Sequence, residues 1–111
     1  MKFDVKKDGA TTVLSIHERK IDTTVSAELK AEFLLLCKPK TMKKLIVDLS
    51  EVEFCDSSGL AAFLVASRTI AEHGGMVHLV KPHKKILDLL NLSQLTRIFT
   101  INKTVAEAVK A

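Results

Sequence analysis

Tryptophan and tyrosine are absent from this 111-residue sequence, and its aromatic content is five phenylalanines. Surfaces that stack nucleic-acid bases draw on aromatic rings, so direct nucleic-acid binding is disfavoured even though 17 Lys and Arg oppose 13 Asp and Glu, a net charge of +4. The basic residues are also dispersed, with Lys38, Lys40, Lys43 and Lys44 in one region and Lys81, Lys84 and Lys85 in another. Cysteine is scarce: Cys37 and Cys55 form neither a C-x-x-C pair nor a disulfide framework. Both lie in apolar stretches and are expected to be reduced and buried. Long hydrophobic runs are missing too. Residues 33–37 and 59–66 fall well short of the roughly 20 a membrane span needs. The amino terminus alternates Lys2, Phe3, Asp4, Val5, Lys6, a pattern unlike a signal peptide. The expectation is a cytoplasmic protein with no membrane insertion.

What is present reads as alternating strands and helices. Phe3 and Val5 alternate with charged neighbours, Asp8-Gly9 supplies a turn, and residues 13–17 return with Leu14 and Ile16 on one face, which predicts a hairpin. Asp22, Thr23 and Thr24 offer capping oxygens for a helix carrying Val25, Leu29, Phe33, Leu36 and Cys37 at helical spacing. Pro39 stands just past its end. Residues 44–49 are mostly apolar, as in a strand covered on both faces. A second helix is expected over 57–73, closed by Gly74-Gly75. A strand over 76–80, a break at Pro82, a helix over 83–90 capped at Asn91, and a short strand near 98–101 follow. Thr104 and Glu107 are spaced as a capping box for a last helix. The order predicts one α/β domain over 1–111: a mixed, mostly parallel sheet with an N-terminal hairpin and about four helices.

The chemically informative segment runs from Asp48 to Leu60, from the carboxyl end of the buried strand into the first turn of the second helix. Binding sites of open α/β sheets gather at that edge. Free N–H groups and the helix dipole make such a helix start receptive to an anion. At about 100° per residue from Ser57, the apolar residues Leu60, Phe63, Leu64, Ala66, Ile70 and Ala71 occupy one sector. Ser58 projects away from it with Ala62, Val65 and Thr69, and Ser57 falls at the seam. Ser58 is therefore the serine expected to face a partner, on a surface that also includes Asp56, Ser57 and Gly59. A plain alternative exists, in which Asp56 is an N-cap and the serines only begin a helix.

Other constellations are weaker. His17, His73, His78 and His83 match no metal-ligand spacing and are expected at the surface, so no metal is assigned. Cys55-Asp56-Ser57-Ser58-Gly59 lacks the glycine spacing of a hydrolase elbow. No second functional group converges on Ser58 in the sequence, and no enzyme activity or cofactor is expected.

Asp48-Leu49-Ser50, Val52, Phe54, Asp56-Ser57-Ser58-Gly59-Leu60 and Gly74-Gly75 ahead of a strand closely resemble the bacterial anti-sigma factor antagonists of the STAS domain family. The likeness extends through Leu89, Leu92, Phe99 and Ile101 and covers nearly the whole chain. Ala61 stands where that family often has glycine, and Cys55 replaces an aliphatic residue. The resemblance implies that Ser58 is phosphorylated by an anti-sigma factor serine kinase of the GHKL ATPase type and restored by a serine phosphatase. The unphosphorylated form would bind the anti-sigma factor and free a sigma factor. Asp56, with Glu51 and Glu53 near in sequence, would meet the added phosphate with like charge. A second class stays open, a non-switching STAS interaction subunit of a membrane transporter or lipid-transport ATPase. The Ser57-Ser58 pair favours the first, because docking alone needs no modifiable hydroxyl.

Overall fold

The computed structural model describes residues 1–111. Period-two alternation at the amino terminus becomes the hairpin of β1 (Phe3–Asp8) and β2 (Thr11–Ile16), paired from Phe3↔Ile16 to Asp8↔Thr11. Gly9 takes the turn with φ 61°, a conformation that costs glycine little. After β2 come β3 (Lys20–Ile21), α1 (Ser26–Cys37), β4 (Lys44–Asp48), β5 (Phe54–Cys55) and α2 (Ser57–Ala71). The chain continues through β6 (Met76–Val80), α3 (Lys84–Leu92), a 3-10 turn at Leu95–Arg97, β7 (Thr100–Asn102) and α4 (Val105–Lys110).

Five strands form the main sheet in the order β1-β2-β4-β6-β7, and only the β1–β2 pairing is antiparallel. Alternation along the strands divides the core in two. Leu14, Leu45, Val47, Val77 and Leu79 pack under α1, α2 and α3, where Phe63 lies 5.5 Å from Phe33 and 6.4 Å from Phe99 between ring centroids. Ile46 and Val80 face the other side, against Ala108 of α4. Lys44 Nζ donates to the carbonyls of Ala108 (2.9 Å) and Val109 (3.1 Å), tying the last turn of α4 to the middle strand. Thr104 Oγ1 accepts from Glu107 N at 3.0 Å, the capping bond its spacing predicted.

The mixed, largely parallel α/β architecture with a leading hairpin and four helices agrees with expectation, and several details do not. α1 begins at Ser26, because Asp22 Oδ1 accepts from Thr24 N (3.0 Å) and closes a turn ahead of the helix instead of capping it. α2 ends at Ala71, two residues early, with left-handed Gly74 beyond it. The left-handed residue after α3 is Gln94 (φ 58°), not Asn91. His78 is buried under α4 instead of at the surface, its Nδ1–H donating to Asn102 Oδ1 at 2.8 Å. Cys37 and Cys55 are free and buried as expected, and desolvation pushes their thiols up to about 11 and about 12. No helix is long and apolar enough to cross a membrane.

Candidate functional site

The loop after β4 leads into the Asp56–Ser58 junction, and local pairing sets its shape. Asp48 Oδ1 accepts from Ser50 N (3.0 Å), turning the chain at the strand end. The chain then pairs in parallel with β3, Lys20 opposite Phe54 and Ile21 opposite Cys55. Asp56 N donates to Ile21 O at 3.0 Å, which fixes the entry to α2. Three ionic or polar ties hold the loop from outside. His17 lies between Asp4 (Nε2 to Oδ2, 2.7 Å) and Glu51, bonded through Nδ1. Arg19 Nε donates to Glu53 Oε2 at 2.7 Å, and His83 Nε2–H donates to Ser50 O at 2.9 Å.

Asp56 is the N-cap of α2, and one of its oxygens does three things. Oδ1 accepts from Ser58 N (2.9 Å), from Gly59 N (3.1 Å) and from the Ser58 hydroxyl (2.6 Å). The Ser58 hydroxyl and the Gly59 amide hold the Asp56 carboxyl below its ordinary value, while the nearby Asp22 charge works against them. Asp22 is itself lowered, chiefly by the Thr24 hydroxyl. The two carboxylates at this junction are thus Asp56 and Asp22. Glu51 and Glu53 are committed to His17 and Arg19 and are not the free like charges the sequence suggested.

The helical angles need correction. Ser57 is exposed together with Ala61, Arg68 and Glu72, while Ser58 is only half-buried. Ala62, expected on the partner-facing surface, is 1% exposed and belongs to the core. Val65 and Thr69 are half-buried, and the Thr69 hydroxyl donates back to Val65 O at 2.8 Å. Ala71, placed on the apolar face by angle, is exposed. α2 packs on α1 as well as on the sheet, and its buried sector takes in Ala62 and leaves out Ala71. Gly59 is buried as well, wedged against β3 and β5. Phe54 was not singled out as a surface residue, yet it is 47% exposed two residues before Asp56. Successive side chains of β5 take opposite faces, so with Cys55 pointing in Phe54 points out, and a two-residue strand offers no period by which the sequence could show it. No group of three or more His, Cys, Asp or Glu could hold a metal ion.

An open, mostly parallel sheet with a leading hairpin and a capped serine pair where strand passes to helix defines a small α/β domain. The chain belongs to the STAS domain family, whose model matches residues 2–108. A Thermotoga maritima protein named provisionally as an anti-sigma factor antagonist is 35% identical over 71 residues, 64% of this chain and 63% of that relative. The match thus spans less than two thirds of the relative's length. A crystal structure of a provisionally named anti-sigma factor antagonist from Thermotoga maritima has a TM-score of 0.85 at 28% identity, covering 97% of this chain and 92% of that one. The anti-sigma factor antagonist SpoIIAA in its unphosphorylated form has a TM-score of 0.82 at 19% identity, covering 98% of this chain and 94% of that one. SpoIIAA from Bacillus in its phosphorylated form gives 0.77 at the same 19% identity, over 98% of this chain and 97% of the other. With SpoIIAA the likeness is one of fold.

Proposed function

We propose that this chain is an anti-sigma factor antagonist switched by phosphorylation of Ser58. The unphosphorylated form binds an anti-sigma factor serine kinase of the GHKL ATPase type and releases a sigma factor, and a serine phosphatase resets it. The protein is then a kinase substrate and binding module, not an enzyme, and acts in the cytoplasm. The observation that carries this reading is the Ser58 hydroxyl, half-buried at the start of a 15-residue helix and oriented by Asp56 Oδ1 at 2.6 Å.

Phosphorylation abolishes that hydroxyl donor and adds a charge of roughly −1.5 to −2. The helix start tolerates the anion, so the fold survives. Asp56 and Asp22 repel it, and a partner packed on Ser58 would have to bury it. Burying an unpaired charge costs several kcal/mol, and each 1.4 kcal/mol is about tenfold in affinity. The bound kinase is therefore expected to weaken its hold by about two to three orders of magnitude.

The test is incubation with the host's extract and ATP, followed by mass mapping, then binding of Ser58→Ala and Ser58→Asp to the anti-sigma factor. One phosphoryl group on Ser58, lost in Ser58→Ala and retained in Ser57→Ala, is expected. Equal affinity of Ser58→Ala and Ser58→Asp for the anti-sigma factor overturns the switch.

A further inference from the structure

The sheet changes sides at one place. The chain leaving β2, β4 and β6 reaches α1, α2 and α3 on one face, whereas β7 leads to α4 on the other. β6 and β7 are adjacent and parallel, pairing from His78↔Thr100 to Val80↔Asn102. Neighbouring parallel strands whose connections diverge leave a crevice beyond their carboxyl ends, the usual ligand position in open α/β sheets. A cavity of about 430 Å³ lies there, between the residues that follow β6 and β7. That volume falls within the range of small-molecule sites.

The lining is specific. Leu87 and Ile101 supply apolar wall, and the exposed Lys81 and Lys103 border it together with Glu107. Neither lysine has a carboxylate partner, since the ion pairs of the chain engage other residues. Lys81 is held left-handed at φ 52°, its N–H bonded to Asn102 O at 3.1 Å. The chain uses glycine at two of its four positive-φ positions, Gly9 and Gly74. A lysine where the backbone favours glycine points to a use for its side chain.

Behind the lysines runs a fixed polar chain. Asn102, 7% exposed, accepts from His78 Nδ1–H (2.8 Å) and donates through Nδ2 to Glu107 Oε1 (3.2 Å). The same Glu107 oxygen accepts from Lys103 N at 3.4 Å, which leaves Oε2 unengaged.

We infer that this crevice binds a small hydroxylated phosphomonoester of the sugar-phosphate class, its phosphate held between the Lys81 and Lys103 ammonium groups. Lysines act as point charges toward phosphate, and two of them match a dianion. Glu107 Oε2 accepts a ligand hydroxyl, and the carbon skeleton lies against Leu87 and Ile101. The site does not depend on Ser58.

The test is titration of the ¹⁵N-labelled full chain with glucose 6-phosphate, with inorganic phosphate and glucose as separate arms. Saturable amide shifts confined to Lys81, Asn102, Lys103 and their neighbours are expected with the sugar phosphate, weaker ones with phosphate and none with glucose. Lys81→Gly keeps the left-handed backbone and Lys103→Gln keeps the amide bond to Glu107, so both should fold. Each is expected to weaken binding at least about tenfold, with Lys40→Gln and Ser58→Asp unchanged. No saturable shift at millimolar ligand, shifts scattered over the surface lysines, or full binding in the Lys81→Gly and Lys103→Gln variants overturns the inference.

Discussion

Gly59 lies against Ile21 so closely that a Cβ on Gly59 would sit 2.7 Å from Ile21 Cγ2 and 3.1 Å from the Ile21 carbonyl oxygen. Cys55 Sγ would be nearer still, at 2.5 Å. The first turn of α2 can rest on β3 and β5 only without a side chain at this position. Gly59→Ala gains helix propensity, yet overpacking of this kind typically costs about 1–3 kcal/mol. A lowered urea midpoint is the expected result, with amide shifts running through Ile21 and Cys55; an unchanged midpoint would show that the two-strand ribbon yields.

Asp56→Ala removes the acceptor for two helix-start amides and the Ser58 hydroxyl. N-cap losses of this type cost about 1 kcal/mol, measurable by chemical denaturation. The wild-type carboxyl titrates below its ordinary 3.8 in the fold. Its contribution is therefore present above 3.8 and disappears as pH falls through the lower folded value. Asp56→Asn should lack that acid-side decline while keeping most of the cap.

Phe54 adjoins the Asp56–Ser58 junction with 47% of its surface exposed. Under the proposed function it is an aromatic anchor, and anchors of this kind carry about 2 kcal/mol or more of binding. Phe54→Ala should weaken anti-sigma factor binding by at least about tenfold, while the thermal midpoint moves little. Calorimetric titration measures the first and a melting scan the second.

His17 joins Asp4 and Glu51, and chiefly the Glu51 contact raises its pKa above 6.5. A raised histidine stabilises fully below 6.5, and the contribution is lost as pH climbs through the folded value. Stability compared across that interval should fall in the wild type more than in His17→Gln. Imidazole proton shifts would locate the folded pKa directly.

Long periodic segments were legible in the sequence. The hairpin, β4, the body of α2 and the Thr104–Glu107 cap follow from alternation, apolar runs and capping chemistry that need no distant partner. The pair β3 and β5 was not legible, because two residues cannot display a period. The apolar sector of α2, set by angle from Leu60, Phe63, Leu64, Ala66, Ile70 and Ala71, left out Ala62, because α2 packs on α1 as well as on the sheet and its own sequence does not announce that neighbour. His78 went astray for a similar reason: its partner Asn102 lies 24 residues away, and only register brings them together. At the junction, Asp56 and the two serines were readable from spacing, whereas Asp22 arrives beside them through the β3–β5 pairing.

The six-residue α4 is the sole helix on its side of the sheet, anchored by Ala108 and by the reach of Lys44. Such thin cover implies a graded native state, in which that flank opens well before the three-helix side gives way. Deuterium uptake should then appear early at the α4 amides such as Ala108, while those around Phe63 stay protected until the whole chain unravels.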